Sequence, residues 1–174
     1  MIWRLFLMWI LIEISKLGDN QVQGVDYAYT LQGWLKGTNS SSLTTDRDMG
    51  GDSQPGAVNQ YFAKDVASFS LHYIEGDYAS IGSATEWLPP MTWMNGETTK
   101  QAAMNQERQD LWNGNIGSMW TNMANPGTDL PGDNWGMLGM VYRYDQLNRL
   151  INAAGYNPNN FYPEQNRWDT TALE

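Results

Sequence analysis

The run Gly139-Met-Val-Tyr142-Arg-Tyr144-Asp145-Gln-Leu-Asn148-Arg149-Leu150-Ile151 constrains this chain more than any other stretch. In a strand, residues two apart share a face, so Tyr142 and Tyr144 are expected on one side. Asp145 to Asn148 carries turn chemistry, because Asp starts turns and Asn tolerates the left-handed backbone. Arg149-Leu150-Ile151 then resumes as a return strand. A type I turn followed by one left-handed residue closes such a hairpin, and Asn148 is expected in that slot.

The same grammar occurs earlier, in Val25-Asp-Tyr27-Ala-Tyr29-Thr-Leu-Gln-Gly33-Trp-Leu35. Tyr27 matches Tyr142, Tyr29 matches Tyr144, Gly33 matches Asn148 and Leu35 matches Leu150. Glycine takes the left-handed slot at no steric cost. A repeated hairpin marks an array in which each unit buries its face against neighbours.

Tyr-Arg-Tyr-Asp-Gln-Leu-Asn-Arg-Leu (142–150) resembles the YD repeat of Rhs proteins, Tyr-x-Tyr-Asp-x-x-Gly-Arg-Leu, with Asn148 in place of the usual Gly. Residues 17–39 look like the variant found in Rhs-like proteins of Bacteroidetes. Leu111-Trp-Asn-Gly-Asn-Ile-Gly-Ser-Met119 is similar to a Leu-Tyr-Asn-Gly-Asn-Ile stretch that lies between such repeats. The resemblance implies a mainly β fold: repeated antiparallel hairpins forming part of a β-shell, with long irregular loops and at most one short helix. It implies a structural role, in which the shell encloses or presents a C-terminal toxin or effector and this segment performs no catalysis. The implied partners are adjacent repeats of the same or a longer polypeptide and an encapsulated toxin domain. The implied location is outside the cell or in its envelope. Tyr27, Tyr29, Gly33, Leu35, Tyr142, Tyr144, Asp145, Asn148, Arg149 and Leu150 are the repeat positions, the tyrosines stacking as ladders along the wall.

Composition narrows the alternatives. A formal charge of −9 with only ten Lys and Arg in 174 residues argues against nucleic acid, which needs clustered basic side chains. The absence of Cys removes disulfides, zinc–thiolate sites and Cys nucleophiles. Nine Trp and 17 Gly suit an aromatic, turn-rich β protein. A Gly-x-Ser-x-Gly elbow, a phosphate-binding Gly loop and a His-Glu-x-x-His motif are all missing. His72, the only histidine, reads as structural. Carboxylate pairs such as Glu75 with Asp77, or Asp129 with Asp133, are the remaining catalytic option, and acids this numerous pair by chance. No catalytic, cofactor or metal residue is therefore assigned. A carbohydrate-binding or adhesive surface module, stacking a glycan on Trp87, Trp93, Trp112 and Trp120, is the alternative function, although core packing is the favoured use of these rings.

Three regions are expected. Residues 1–16 are an apolar segment outside the family match, too short to span a bilayer. A truncated or misread start suits it best, ahead of a secretory signal, because no small-x-small cleavage site follows Ile12, and ahead of a buried strand. Residues 17–157 hold the hairpins, and 158–174 form a polar tail without a strong element. Within the middle region, 38–60 reads as a surface loop. Its Asp46-Arg-Asp48-Met-Gly50-Gly51-Asp52 run falls short of an EF-hand calcium loop, with Gly50 and Ala57 at ligand positions, so a solvated loop is expected. Phe69 to Gly82 is expected as a hairpin about Glu75-Gly-Asp77. The best helical stretch is 98–108, and a further hairpin is expected over Leu111–Met123 about Asn113-Gly114.

Overall fold

The computed structural model describes residues 13–17, 23–39, 43–74, 76–79, 92–93, 110–124, 138–156, 161–162 and 167–168. Seven strands form one antiparallel sheet: β1 (Glu13–Leu17), β2 (Gln23–Tyr29), β3 (Leu35–Thr38), β4 (Ala67–His72), β6 (Ser118–Met123), β7 (Leu138–Tyr144) and β8 (Leu150–Tyr156). Their order in the sheet is their order along the chain. Two-residue strands β5 (Thr92–Trp93), β9 (Phe161–Tyr162) and β10 (Arg167–Trp168) make a separate three-stranded sheet, in which β10 pairs parallel with β5 and antiparallel with β9. The mainly β expectation is met, and the one short helix among the described residues is a 3-10 turn at Thr45–Arg47.

Both repeated hairpins form, β2–β3 and β7–β8, and they are alike bond for bond. In the first, Gly33 N–H donates to Thr30 O and Thr30 N–H to Trp34 O; in the second, Asn148 N–H donates to Asp145 O and Asp145 N–H to Arg149 O. Gly33 (φ 81°) and Asn148 (φ 59°) both occupy the left-handed region. Each hairpin also slips register by one residue at the same place, pairing Tyr29 with Leu35 and Tyr144 with Leu150. The extra residue is Lys36 in β3 and Ile151 in β8, a bulge that re-aims one side chain.

Following the register across the sheet sorts its faces. Tyr27, Thr38, Phe69, Thr121 and Leu138 lie in one cross-strand row, and Leu71, Met119 and Met140 in the next on the same face. Here Leu71 clusters with Tyr73 and Ile74, against Trp34, Phe69, Ile116 and Met119. The opposite face carries Asp26, Ala28, Ser70, His72, Ser118, Trp120, Asn122 and Val141, all buried. Its side chains are small or polar around one large ring, and Tyr78 and Met49 pack on Ala28. The sheet thus has a core on each side.

Several expectations are corrected by long-range pairing. The expected Phe69–Gly82 hairpin is not seen where it is described: β4 pairs with β3 and β6 and residues 77–79 are not a strand, while residues 75 and 80–82 lie outside the described residues. Leu111–Met123 contributes one strand rather than two. Its Asn113-Gly114 turn is present, with Gly114 at φ 84°, but Leu111 and Gly117 N–H donate to Tyr73 O and His72 O. That docks the turn on the end of β4. The described part of 38–60 is a loop after Thr38 with one 3-10 turn, as expected, but it is solvated only in part: Val58 is exposed, whereas Asn39, Leu43, Asp52 and Asn59 are buried. Glu13–Leu17, which straddles the expected boundary at residue 16, is a strand on β2. The expected helix over 98–108 lies outside the described residues.

Candidate functional site

The repeat positions come first. Tyr27 and Tyr142 share a face of the sheet, but β3, β4 and β6 stand between their strands. Four strand spacings alone separate them by about 19 Å, and Tyr142 lies four residues further along β7 than the row of Tyr27, so they form no ladder with each other in this sheet. Among the described residues the ring pairs are instead Trp34 with Tyr73 and His72 with Trp120, each with centroids 5.0 Å apart. Tyr144 contributes through its hydroxyl, which donates to Ile116 O at 3.0 Å. Burial raises the Tyr142 and Tyr144 hydroxyls above the usual tyrosine range, and in Tyr144 the Tyr142 hydroxyl adds to the effect.

Asp145 organises its turn. Its Oδ1 accepts from Leu147 and Arg149 N–H, both at 2.9 Å, and its Oδ2 from Arg149 Nε at 2.6 Å. The Arg149 backbone amide, ahead of the guanidinium, holds this carboxyl below its usual range. Thr30 does the equivalent work in the first hairpin, its hydroxyl accepting from Trp34 N–H at 3.1 Å. Leu35 is half-buried, whereas Leu150 is exposed. Asn148 Oδ1 also accepts from Asn113 Nδ2 at 2.6 Å, tying the second hairpin to the turn before β6.

A buried polar chain runs behind β3 and β4. Lys36 Nζ lies 2.9 Å from His72 Nδ1 and 2.8 Å from Asp77 Oδ1, and His72 Nε2 lies 3.2 Å from Ser70 Oγ. The bulge at Lys36 turns this side chain onto the same face as His72, which is why simple alternation missed it. Asp77 Oδ2 accepts from Tyr73 N–H at 3.0 Å. An ammonium only donates, so Nδ1 must accept, and the ring proton sits on Nε2 and is donated to Ser70. A serine that accepts from histidine is not activated by it. The arrangement holds Asp77 between Lys36 and Tyr73 and positions no general base at Ser70.

Three carboxylates, Asp26, Asp48 and Asp65, meet on the same face toward the other end of β2, and Asp52 lies beside Gly24 and Gly50 next to them. Asp26 projects from β2, Asp48 and Asp52 come from the segment after β3, and Asp65 lies just before β4. Asp26, Asp48 and Asp65 each bring one oxygen within 4.8 Å of the other two. Asp26, Asp52 and Asp65 are 1%, 3% and 4% exposed, and none of their six carboxylate oxygens has a hydrogen-bond partner. Asp48 is held in place by its own loop, accepting from Gly50, Gly51 and Asp52 N–H at 2.9, 3.0 and 3.0 Å. The backbone is cut to admit these groups. A Cβ on Gly24 would stand 2.7 Å from Asp52 Oδ2, and one on Gly50 would collide with Asp26 Oδ2. Burial, then repulsion from Asp52 and Asp48, pushes Asp26 up to about 7; the nearby Gly50 amide, whose hydrogen bond goes to Asp48, offsets part of it. Burial, then Asp48, Asp52 and Asp26, pushes Asp65 up to about 8.

Of the four tryptophans of the alternative platform, two have described side chains. Trp120 is 1% exposed in the core, while Trp112 is exposed; Trp87 and the Trp93 side chain lie outside the described residues. Of the carboxylate pairs, Asp77 is engaged by Lys36, and Asp129 and Asp133 are outside the described residues. Comparison with protein-family models, curated proteins and solved structures finds no match to this chain.

Proposed function

We propose that this chain is a length of β-wall, a run of Rhs/YD-type hairpins that continues edge to edge into neighbouring repeats and helps to enclose or present an effector carried by the same or a longer polypeptide. One observation carries this reading. β3 and β8 are equivalent strands of equivalent hairpins, but β3 is followed in the sheet by β4, and β8 is followed by no strand among the described residues. The bulge residue measures the difference: Lys36 is 0% exposed and its counterpart Ile151 is 62% exposed. Leu150 beside it is exposed as well. A seven-residue strand with an unpaired edge and apolar side chains is a template for a further strand. The wall reading supplies that strand from the next repeat.

The test is association of the full chain, followed by sedimentation over a wide concentration range, with Ile151→Lys as the edge-blocking variant. Concentration-dependent pairing that Ile151→Lys abolishes, together with slow amide exchange in β8 on pairing, is the expected result. A monomer at every concentration whose β8 amides are already protected refutes it, because the edge would then be covered within the chain. Glycan binding through Trp112, lost in Trp112→Ala, would instead favour a surface-adhesion module.

A further inference from the structure

We infer that Asp26, Asp48 and Asp65, with Asp52 beside them, form a binding site for one divalent cation, calcium, which clips the 43–66 segment onto β2.

Convergence is the first reason. The donors come from three places in the chain, and three of the four carboxylates are buried with every oxygen unpartnered. Gathering carboxylates out of water is among the most costly arrangements in a fold unless a counter-charge joins them. Gly24 and Gly50 are the second reason. They stand where any larger residue would displace Asp52 or Asp26, so the backbone is shaped to let these carboxylates in. The third is preorientation. Three loop amides aim Asp48 while its neighbours stay unsatisfied. Asn39 supports the same corner, accepting from Asp26 N–H and donating to Ala67 O.

The chemistry selects the ion. All four side chains offer oxygen, and the chain has no Cys, which points to a hard cation rather than zinc or copper. Calcium takes six to eight oxygens, largely from protein, in irregular cages; magnesium keeps several waters and usually one or two carboxylates. Three converging carboxylates with a fourth beside them fit calcium. The EF-hand comparison fails at Gly50 and Ala57 because it expects every ligand inside one loop. Here β2 and the residue pair before β4 supply Asp26 and Asp65 from outside it.

The experiment uses the full chain stripped with EDTA, titrated calorimetrically with CaCl2, and melted with and without the ion. One calcium per chain is expected, with a rise in Tm of roughly 5–10 °C at a hundredfold excess over Kd. Asp65→Asn should raise Tm in EDTA, by removing a buried charge, and weaken calcium binding by about tenfold or more. That opposite response separates an ion site from a cluster of protonated acids, which would gain in EDTA and show no calcium response. Absence of any heat or Tm shift at millimolar Ca2+ in the wild-type protein overturns the site, and that result needs no variant to fold. Calcium binding unchanged in both Asp26→Asn and Asp65→Asn also overturns it, as does a response to Mg2+ with none to Ca2+.

Discussion

Substituting Gly33 by Ala isolates the left-handed slot of the repeated hairpin. A Cβ at Gly33 would meet no atom within 4 Å, so the substitution introduces no clash and the cost is purely that of holding φ at 81°. For an L-residue that conformation costs about 1–2 kcal/mol. Restricting the unfolded chain returns about 0.4–1 kcal/mol. The net loss expected is about 1 kcal/mol, or roughly 2–4 °C in Tm for a chain of this size. Gly33→Asn should cost less than half as much, because Asn148 already occupies the equivalent slot at φ 59°. Asn148→Gly runs the exchange in reverse. Relief of the backbone is opposed by loss of the acceptor for Asn113, an exposed bond worth about 0.5–1 kcal/mol, so the change should be close to neutral. Asn148→Ala keeps the strain and loses the bond, and should cost more than Gly33→Ala. Urea unfolding of the four variants at fixed pH measures all of this. A neutral Gly33→Ala beside a costly Asn148→Ala would show that the two slots are not equivalent, and the repeat argument would fail.

Two further outcomes follow from the buried polar groups. Lys36→Met leaves Asp77 buried without its ammonium, and a loss of about 3 kcal/mol or more is expected by urea unfolding; a change under 1 kcal/mol would show that the pair contributes only packing. In EDTA, stability should fall as pH rises. Asp26 and Asp65 bind protons more tightly folded than unfolded, so their contribution is complete below about pH 4 and is lost on the way to about 7 and 8. A rise from 3.8 to about 7 at Asp26 alone corresponds to a loss on the order of 4 kcal/mol. Denaturation midpoints that are flat from pH 5 to 8 in EDTA would refute this reading.

What could be read from residues alone was local. Asp145 and Asn148, or Thr30 and Gly33, specify a turn by bonds within five residues, and both turns form as their side chains require. The faces of β2 and β7 were also readable from alternation. Partner choice was not. Phe69-Ser-Leu-His-Tyr-Ile carries a strand pattern but nothing that says its neighbour is Ser118–Met123 rather than the residues just after Gly76. The carboxylate cluster escaped for a related reason. Asp26 reads as the polar half of a strand alternation, and only the fold shows that its face is the covered one. Lys36 was hidden by the bulge, since alternation places it opposite to where it lies. Trp120 fits either a surface platform or a core, and register decided for the core.

The strand order of the sheet matters for how such a chain is made. Among the seven, each strand pairs only with the strand before it and the strand after it in chain order, β5 aside, so the longest wait is that of β4 for β6. As the polypeptide leaves the ribosome, β1 to β3 can close before β4 emerges, and each later strand adds to the edge most recently laid down. The excursion between β4 and β6 delays one step without requiring any finished pair to reopen. Assembly of this kind proceeds by accretion from the N-terminal side.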